Sequence, residues 1–358
     1  MTCDYVGKVF AKSCERMDEI PDTSVQCCVT SPPYYGLRDY SVEGQIGLEP
    51  TVAAYVERLV GVFREVRRVL RPDGLAFLNL GDSYAGSWGA QGHGDMSGRS
   101  VVSARQIAAH PDKKRQTRSI RDAGLKPKDL IGIPWRVAFA LQADGWWLRD
   151  AIVWAKPNPM PSSVEDRCTP SYEMVFMLTK SARYSSNMDA VREPLSPATL
   201  ERIQQAKWQS GQQAGSTRAN GGAKTNGPMR AVVNAKGLTQ PPQIEDGDYS
   251  EAGANLRNVW TIATTPYAEA HFAVMPLELA LRCIRIGTRV GDVVLDPFMG
   301  SGTTAEAAES IGRAWVGYES NPEYHALIAE RVRQRGLFGG VLHDPARQVR
   351  ARHERTQQ

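Results

Sequence analysis

Asp296-Pro297-Phe298-Met299-Gly300-Ser301-Gly302-Thr303-Thr304 is the stretch on which the fold turns. Val290-Gly291-Asp292-Val293-Val294-Leu295 precedes it and reads as a strand, and Ala305-Glu306-Ala307-Ala308-Glu309-Ser310 follows it and favours helix. A strand ending at Asp296, a glycine turn and a helix beginning near Thr303 are therefore expected. Glycine lets backbone approach a ligand with no Cβ in the way. Trp315-Val316-Gly317-Tyr318-Glu319 reads as the next strand, ending in a carboxylate 17 residues after Gly302. Strand, glycine loop, helix, strand and acid is the arithmetic of a nucleoside site, in which the acid accepts ribose hydroxyls. A plain βα turn with Glu319 as a solvated strand end is the other reading of these residues alone. The loop carries no Gly-Lys-Ser/Thr for nucleotide phosphates, and only Gly300-x-Gly302 of a dinucleotide fingerprint. Asp296 beside the turn repels a pyrophosphate and suits a cationic ammonium group.

A second stretch carries chemistry. Val25-Gln26-Cys27-Cys28-Val29-Thr30 reads as a strand and runs into Ser31-Pro32-Pro33-Tyr34. Two prolines cannot continue a central strand, so a stiff loop with a hydroxyl and an aromatic ring sits at the strand tip. Tips at the carboxyl edge of an open α/β sheet are where ligands bind. Such a loop suits an exocyclic amino group on a base. That nitrogen is a poor nucleophile because its lone pair is delocalised into the ring. Acceptors for its N–H groups, the Ser31 hydroxyl and the Pro32 carbonyl, draw it toward sp3. Tyr34 offers a face on which an extruded base stacks. The alternative is a proline-stiffened turn with Tyr34 packed in the core.

Both stretches resemble motifs of the amino-group DNA methyltransferases. Asp-Pro-Phe-x-Gly-Ser-Gly-Thr-Thr is similar to their S-adenosylmethionine motif, and Thr30-Ser-Pro-Pro-Tyr-Tyr35 to their catalytic motif. The catalytic motif comes first, as in the circularly permuted beta class. The resemblance implies a Rossmann-like, doubly wound, mainly parallel α/β sheet and direct methyl transfer to a flipped base. Ser-Pro-Pro-Tyr is more typical of cytosine-N4 enzymes and Asp-Pro-Pro-Tyr of adenine-N6 enzymes, so N4 is expected. Adenine N6 and a non-catalytic DNA-binding module on the same fold are the alternatives. The implied catalytic residues are Ser31, Pro32, Pro33 and Tyr34. The implied cofactor contacts are Asp296 near the methionine part, Phe298, Gly300, Ser301, Gly302 and Thr303 in the loop, and Glu319 at the ribose. His271 stands in the element beside the cofactor, although a lone histidine is more often a cap. The family often reads Gly-Asp-Cys where this chain has Ala11-Lys12-Ser13. Lys12 cannot accept from an adenine amino group, and Ser13 is the candidate replacement.

The remaining composition fits. The 358 residues carry a formal charge of +4, but residues 87–128 hold nine Lys/Arg against three Asp/Glu. A basic patch on a nearly neutral body suits a polyanion, here double-stranded DNA, with Lys113, Lys114, Arg115, Arg118 and Arg121 as phosphate contacts. A solvated basic loop is the alternative. No two of the six cysteines have Cys-x-x-Cys spacing, so a reduced cytoplasmic chain without a metal is expected. The sequence has no 18-residue apolar run to span a membrane. A catalytic half over residues 1–180, with a basic loop at 86–128, precedes a polar insertion at 181–257. A cofactor half at 258–335 and a polar tail at 336–358 follow. The family places target recognition in the slot of the insertion, and Gln, Asn and Arg suit base edges. A cognate restriction endonuclease is a candidate cellular companion, and a monomer or homodimer is the expected assembly.

Smaller elements are also legible. A strand is expected over Val6–Phe10, a helical turn or two over Ser13–Ile20, and a helix over Thr51–Leu70. Arg71-Pro72-Asp73-Gly74 reads as a stop before a strand over Leu75–Leu80. A helix is expected over Asp129–Leu141 with Pro134 in its first turn, then a strand pair or one bent strand over Gly145–Trp154. A strand over Tyr172–Leu178, a helix within 197–208, and helices over Leu277–Ile286 and Pro322–Arg333 complete the expectation. Asn79 and Asp82 are candidate pocket residues, with Trp154 and Lys156 weaker ones.

Overall fold

The computed structural model describes residues 4–37, 40, 42–85, 124–194, 253–264 and 274–337. The chain divides into two compact units, Met1–Ser185 with Asn258–Gln358, and Ser186–Arg257. Within the second unit the described residues form a short 3-10 turn, Met188–Val191, and a bridge between Glu193 and Ala254. The His271 expectation, the helix within 197–208, and the basic residues Lys113, Lys114, Arg115, Arg118 and Arg121 lie outside the described residues.

The first unit holds β1 (Lys8–Phe10), β2 (Val25–Thr30), α1 (Val52–Val69), β3 (Leu70–Leu80), α2 (Ile133–Ala143), β4 (Trp147–Ala155) and β5 (Tyr172–Thr179). It continues with β6 (Val259–Thr261), α3 (Leu277–Gly287), β7 (Val293–Asp296), α4 (Thr303–Ser310), β8 (Ala314–Tyr318) and α5 (Pro322–Leu337). The described strands form one sheet in the order β1-β8-β7-β2-β3-β5-β4-β6. Only β5 runs antiparallel to its neighbours, β3 and β4. All six residues of β2 are buried, as a central strand covered on both faces requires. From β2 the chain winds toward one edge, and from β7 toward the other. The adjacent β2 and β7 tips therefore mark the switch point of a doubly wound sheet, where such folds bind ligands.

Helix α1 forms because its apolar residues recur at helical spacing. Tyr55, Leu59, Val62, Phe63 and Val66 are buried. Thr51 caps it, its hydroxyl accepting from Ala54 N at 3.1 Å. Among the described residues no helix is long and apolar enough to cross a membrane.

Three local expectations are corrected, and one left open is resolved. Arg71-Pro72-Asp73-Gly74 does not stop the chain. It lies inside β3 as an irregularity, because Val25 pairs with Leu70 and Cys27 already with Leu75. Proline is tolerated at such a bulge. The helix expected from Asp129 begins at Ile133, after Gly132 in the left-handed region (φ 76°). Residues 13–20 form turns without a helix. Residues 147–155 form one strand with a register shift between Leu148 and Asp150, so the bent strand holds rather than a pair.

Candidate active site

The loop after β2 and the glycine loop after β7 leave the tips of adjacent strands in the sheet. Ser31-Pro32-Pro33-Tyr34 leaves the end of β2, and its backbone is braced from behind. Tyr55 of α1 donates its hydroxyl to the Pro33 carbonyl at 2.8 Å, and Gly36 N donates to Gly47 O at 2.8 Å. Pro32 is buried, and among the described residues no hydrogen bond is made to its carbonyl.

The Tyr34 ring lies against Gly81. A Cβ on Gly81 would come within 2.5 Å of the ring, so only glycine fits there. The Tyr34 hydroxyl donates to Glu173 Oε2 at 2.6 Å, with Asn79 Oδ1 at 3.2 Å, and accepts from Ser31 Oγ at 3.3 Å. Asn79 Nδ2 donates to Glu173 Oε2 at 3.0 Å and to Met174 O at 3.2 Å. Lys156 Nζ pairs with Glu173 Oε1 and lies 4.5 Å from the centre of the Trp154 ring. Strand register brings them together: Asn79 opposes Val175, and Trp154 opposes Glu173. Burial pushes the Tyr34 phenol well above its ordinary pKa, and the Glu173 charge adds to this, so the hydroxyl keeps its proton. In sequence Tyr34, Asn79 and Lys156 are candidates, whereas Glu173 stands only within Tyr172-Glu173-x-x-Phe176, a stretch that the resemblance sets by the active edge without a role for the acid. Its signal is a carboxylate at the start of an otherwise apolar strand.

The glycine loop stands beside it. Gly300 and Gly302 both have positive φ, 52° and 87°. Gly317 is needed too, since a Cβ there would meet the Asp296 carbonyl oxygen at 2.8 Å. Glu319, just past β8, accepts from Gly300 N and Asn321 N, each at 2.7 Å, and burial raises its pKa. One acid therefore braces the glycine loop from the next strand tip.

The structure gives Asp296 a different setting from the one the sequence suggests. Its carboxylate is buried and accepts from Thr30 Oγ1 at 2.6 Å, Thr304 Oγ1 at 2.6 Å and Phe298 N at 3.0 Å. It joins the tips of β2 and β7 to the first turn of α4. Ser301 is likewise engaged, its hydroxyl accepting from Arg331 Nη1 at 2.9 Å. Ser13 is exposed on the turn after β1, and its hydroxyl donates to Glu15. Phe298 is half-buried between Asp296 and the turn. Asp82 accepts from Ser83 N, Gly132 N and Ile133 N, so it caps α2 instead of facing a pocket.

Burial raises the Asp296 pKa from 3.8 to about 6. Below the lower value folded and unfolded chains both hold the proton. Between the two only the unfolded chain has released it, so stability falls as pH rises. Above about pH 6 the loss, roughly 3 kcal/mol, is complete. Asp296→Asn removes this dependence. Urea denaturation at several pH values should show the difference in stability between wild type and variant shifting in the variant's favour between pH 4 and 6.5. A difference that stays constant with pH would contradict the assignment.

The residues fit a nucleoside-bearing cofactor. Two positive-φ glycines face a carboxylate on the neighbouring strand tip. Thr303 Oγ1, in the first turn of α4, is buried with no hydrogen-bond partner. Leaving such a group unpaired costs about 1–3 kcal/mol, which a ligand's polar group would relieve. Among the described residues no cluster of His, Cys, Asp or Glu has the makings of a metal site.

Comparison with known proteins identifies the family. A family model described as DNA methylase, of the N6 and N4 type, matches residues 25–330. The type II methyltransferase M.XycI of Xanthomonas campestris pv. cyanopsidis is 42% identical over 318 residues, covering 87% of this chain and 83% of that protein. The type II methyltransferase M.Cfr9I of Citrobacter freundii is 42% identical over 313 residues, with the same two coverages. Among solved structures, the PvuII cytosine-N4-specific DNA methyltransferase aligns over 90% of this chain and 85% of its own, with a TM-score of 0.52 and 20% identity. At that identity the likeness is one of fold.

Proposed function

Since the chain belongs to the DNA methylase family of N6 and N4 type, we propose that it methylates the N4 amino group of cytosine in double-stranded DNA, on a flipped base. The chain is an amino-DNA methyltransferase, and its cofactor is S-adenosylmethionine. When bound, that cofactor supplies an electrophilic methyl on a sulfonium.

The observation that carries the reading is the tip of β2. There the Ser31 hydroxyl bonds to Tyr34, whose ring is fixed on Gly81, and the carbonyl of the next residue, Pro32, has no hydrogen-bond partner among the described residues. Ser31 Oγ and the Pro32 carbonyl accept the two amino hydrogens and draw the nitrogen toward sp3. Tyr34 fixes the base by stacking, so proximity and alignment lower much of the barrier. No covalent intermediate is needed. Cys27 and Cys28 are buried inside β2, and burial raises both thiols, so neither serves as a nucleophile.

The preference for cytosine N4 over adenine N6 rests on Ser31 at the head of the loop. Both bases present the same amino geometry, so the family's tendency to carry serine there in cytosine-N4 enzymes, not the geometry, tips the choice. Residues 181–257 are the proposed target-recognition region. The relatives bear type II names, which supports a modification enzyme with a cognate restriction endonuclease as its companion. Unmodified plasmid DNA treated with the protein and S-adenosylmethionine, then sequenced with base-level modification calls, tests this reading. Methyl at one short recurring sequence is expected, and unmodified DNA throughout would contradict it.

The basic stretch is the proposed phosphate-binding segment. Replacing Lys113, Lys114 and Arg115 with Ala should weaken binding to any duplex and lower the salt slope by roughly one for each phosphate no longer neutralised. Titrations at several salt concentrations check this. A changed sequence preference at an unchanged slope would assign these residues to base readout instead.

A further inference from the structure

We infer that Glu173, with Asn79, sets the direction of the hydrogen-bond chain ending at Ser31, so that the Ser31 hydroxyl meets the substrate amino group as an acceptor. The inference rests on the amino-transfer reading and names a positioning residue for it.

A hydroxyl can donate or accept, and at this site the difference matters. Ser31 accepting an amino hydrogen raises the electron density on nitrogen. Ser31 donating to that nitrogen occupies the lone pair that must attack. Nothing in an isolated serine chooses between the two. The network behind it does.

Glu173 is at the root. A carboxylate accepts hydrogen bonds and donates none. Its Oε2 takes one from Tyr34 at 2.6 Å and one from Asn79 at 3.0 Å, while Lys156 supplies the counter-charge at Oε1. Asn79 is fixed in turn. Its Nδ2 donates to both Glu173 Oε2 and the Met174 carbonyl, and the flipped amide would set its oxygen against two acceptors. Asn79 therefore turns its own oxygen to Tyr34, 3.2 Å from the hydroxyl.

The Tyr34 hydroxyl thus faces two acceptors and one other hydroxyl. Its single proton goes to the acceptors, the nearer being Glu173. Its lone pair is left for Ser31 Oγ at 3.3 Å, and Ser31 becomes the donor in that contact. With its proton so placed, Ser31 has only lone pairs to offer a base. Asn79 is buried, and Glu173 and Lys156 are mostly so, which protects the arrangement from competing water.

The test is a double-mutant cycle on the full-length protein, using tritiated S-adenosylmethionine and a duplex carrying a site mapped by modification sequencing. Glu173→Gln keeps the shape but gains an N–H group able to reverse the chain. It should lower kcat about tenfold in the wild-type background, as the loss of a charge-assisted hydrogen bond does. In a Tyr34→Phe background the link to Ser31 is already cut, so the same change should do little. Ser31→Ala serves as a second background with the same expectation. Calorimetric affinity for S-adenosylmethionine should stay unchanged throughout, which also shows that each variant is folded. An equal fall in kcat in all backgrounds would mean that Glu173 acts merely on the strand tips, and would overturn the inference alone. A wild-type protein that puts no methyl on an amino nitrogen would overturn the function and the inference together.

Discussion

Tyr34→Ala lowers the rate of methyl transfer by about two orders of magnitude, the scale set by loss of alignment at a reacting centre, while leaving cofactor affinity nearly intact. The expectation follows from where the side chain sits. Its ring fills the space above Gly81, which no other residue could share. Its hydroxyl is the middle link between Ser31 and Glu173. Alanine removes the stacking face and the link together, and leaves the Glu173 carboxylate with one partner fewer. The glycine loop and Glu319 are braced by other groups, Tyr318 O, Asn321 N and Arg331 among them, and should hold their shape. Initial rates with tritiated S-adenosylmethionine, set beside calorimetry on the same preparation, separate the two effects. A parallel loss of cofactor binding would show that Tyr34 supports the fold and not the base.

Glu319→Ala should weaken S-adenosylmethionine binding by about 10- to 100-fold, since hydrogen bonds to a charged group contribute about 1.5–3 kcal/mol. Two losses coincide. The ribose hydroxyls would lose the acceptor proposed for them, and Gly300 N and Asn321 N lose theirs. Glu319→Gln should not rescue binding, because an amide must turn an N–H toward one of two backbone N–H groups. Calorimetry on both variants gives the answer, and an unchanged affinity in Glu319→Ala would remove Glu319 from the ribose.

The parts that were legible in the sequence are those whose meaning is local. The glycine loop declares itself because positive φ at Gly300 and Gly302 admits few other residues. The loop after β2 declares itself because two consecutive prolines, each without a backbone donor, cannot continue a central strand. Helix α1 is visible from its period and its Thr51 cap. What stayed hidden depends on residues far apart in the chain. Asp296 reads as a ligand for a cation until its partners, Thr30 and Thr304, are brought together by β2 and α4. Asp82 reads as a pocket acid until α2 arrives with free N–H groups at its start. Glu173 lies in a stretch, Tyr172-Glu173-x-x-Phe176, that the resemblance sets by the active edge, but its partners come from antiparallel register, which pairs it with Trp154 and pairs Val175, two residues on, with Asn79. Arg71-Pro72-Asp73-Gly74 carries every mark of a turn, and β3 absorbs it because β2 and β5 hold the strand on either side.

Mass spectrometry of nucleosides from unmodified DNA, treated with the protein and S-adenosylmethionine, tests the central claim most directly. The proposed function predicts N4-methylcytosine, with N6-methyladenine absent or minor. Methyl on adenine N6 alone would keep the mechanism and overturn the choice of base. Methyl on cytosine C5 would contradict the account outright, because that chemistry needs a cysteine nucleophile and the loop from Ser31 to Tyr34 has none.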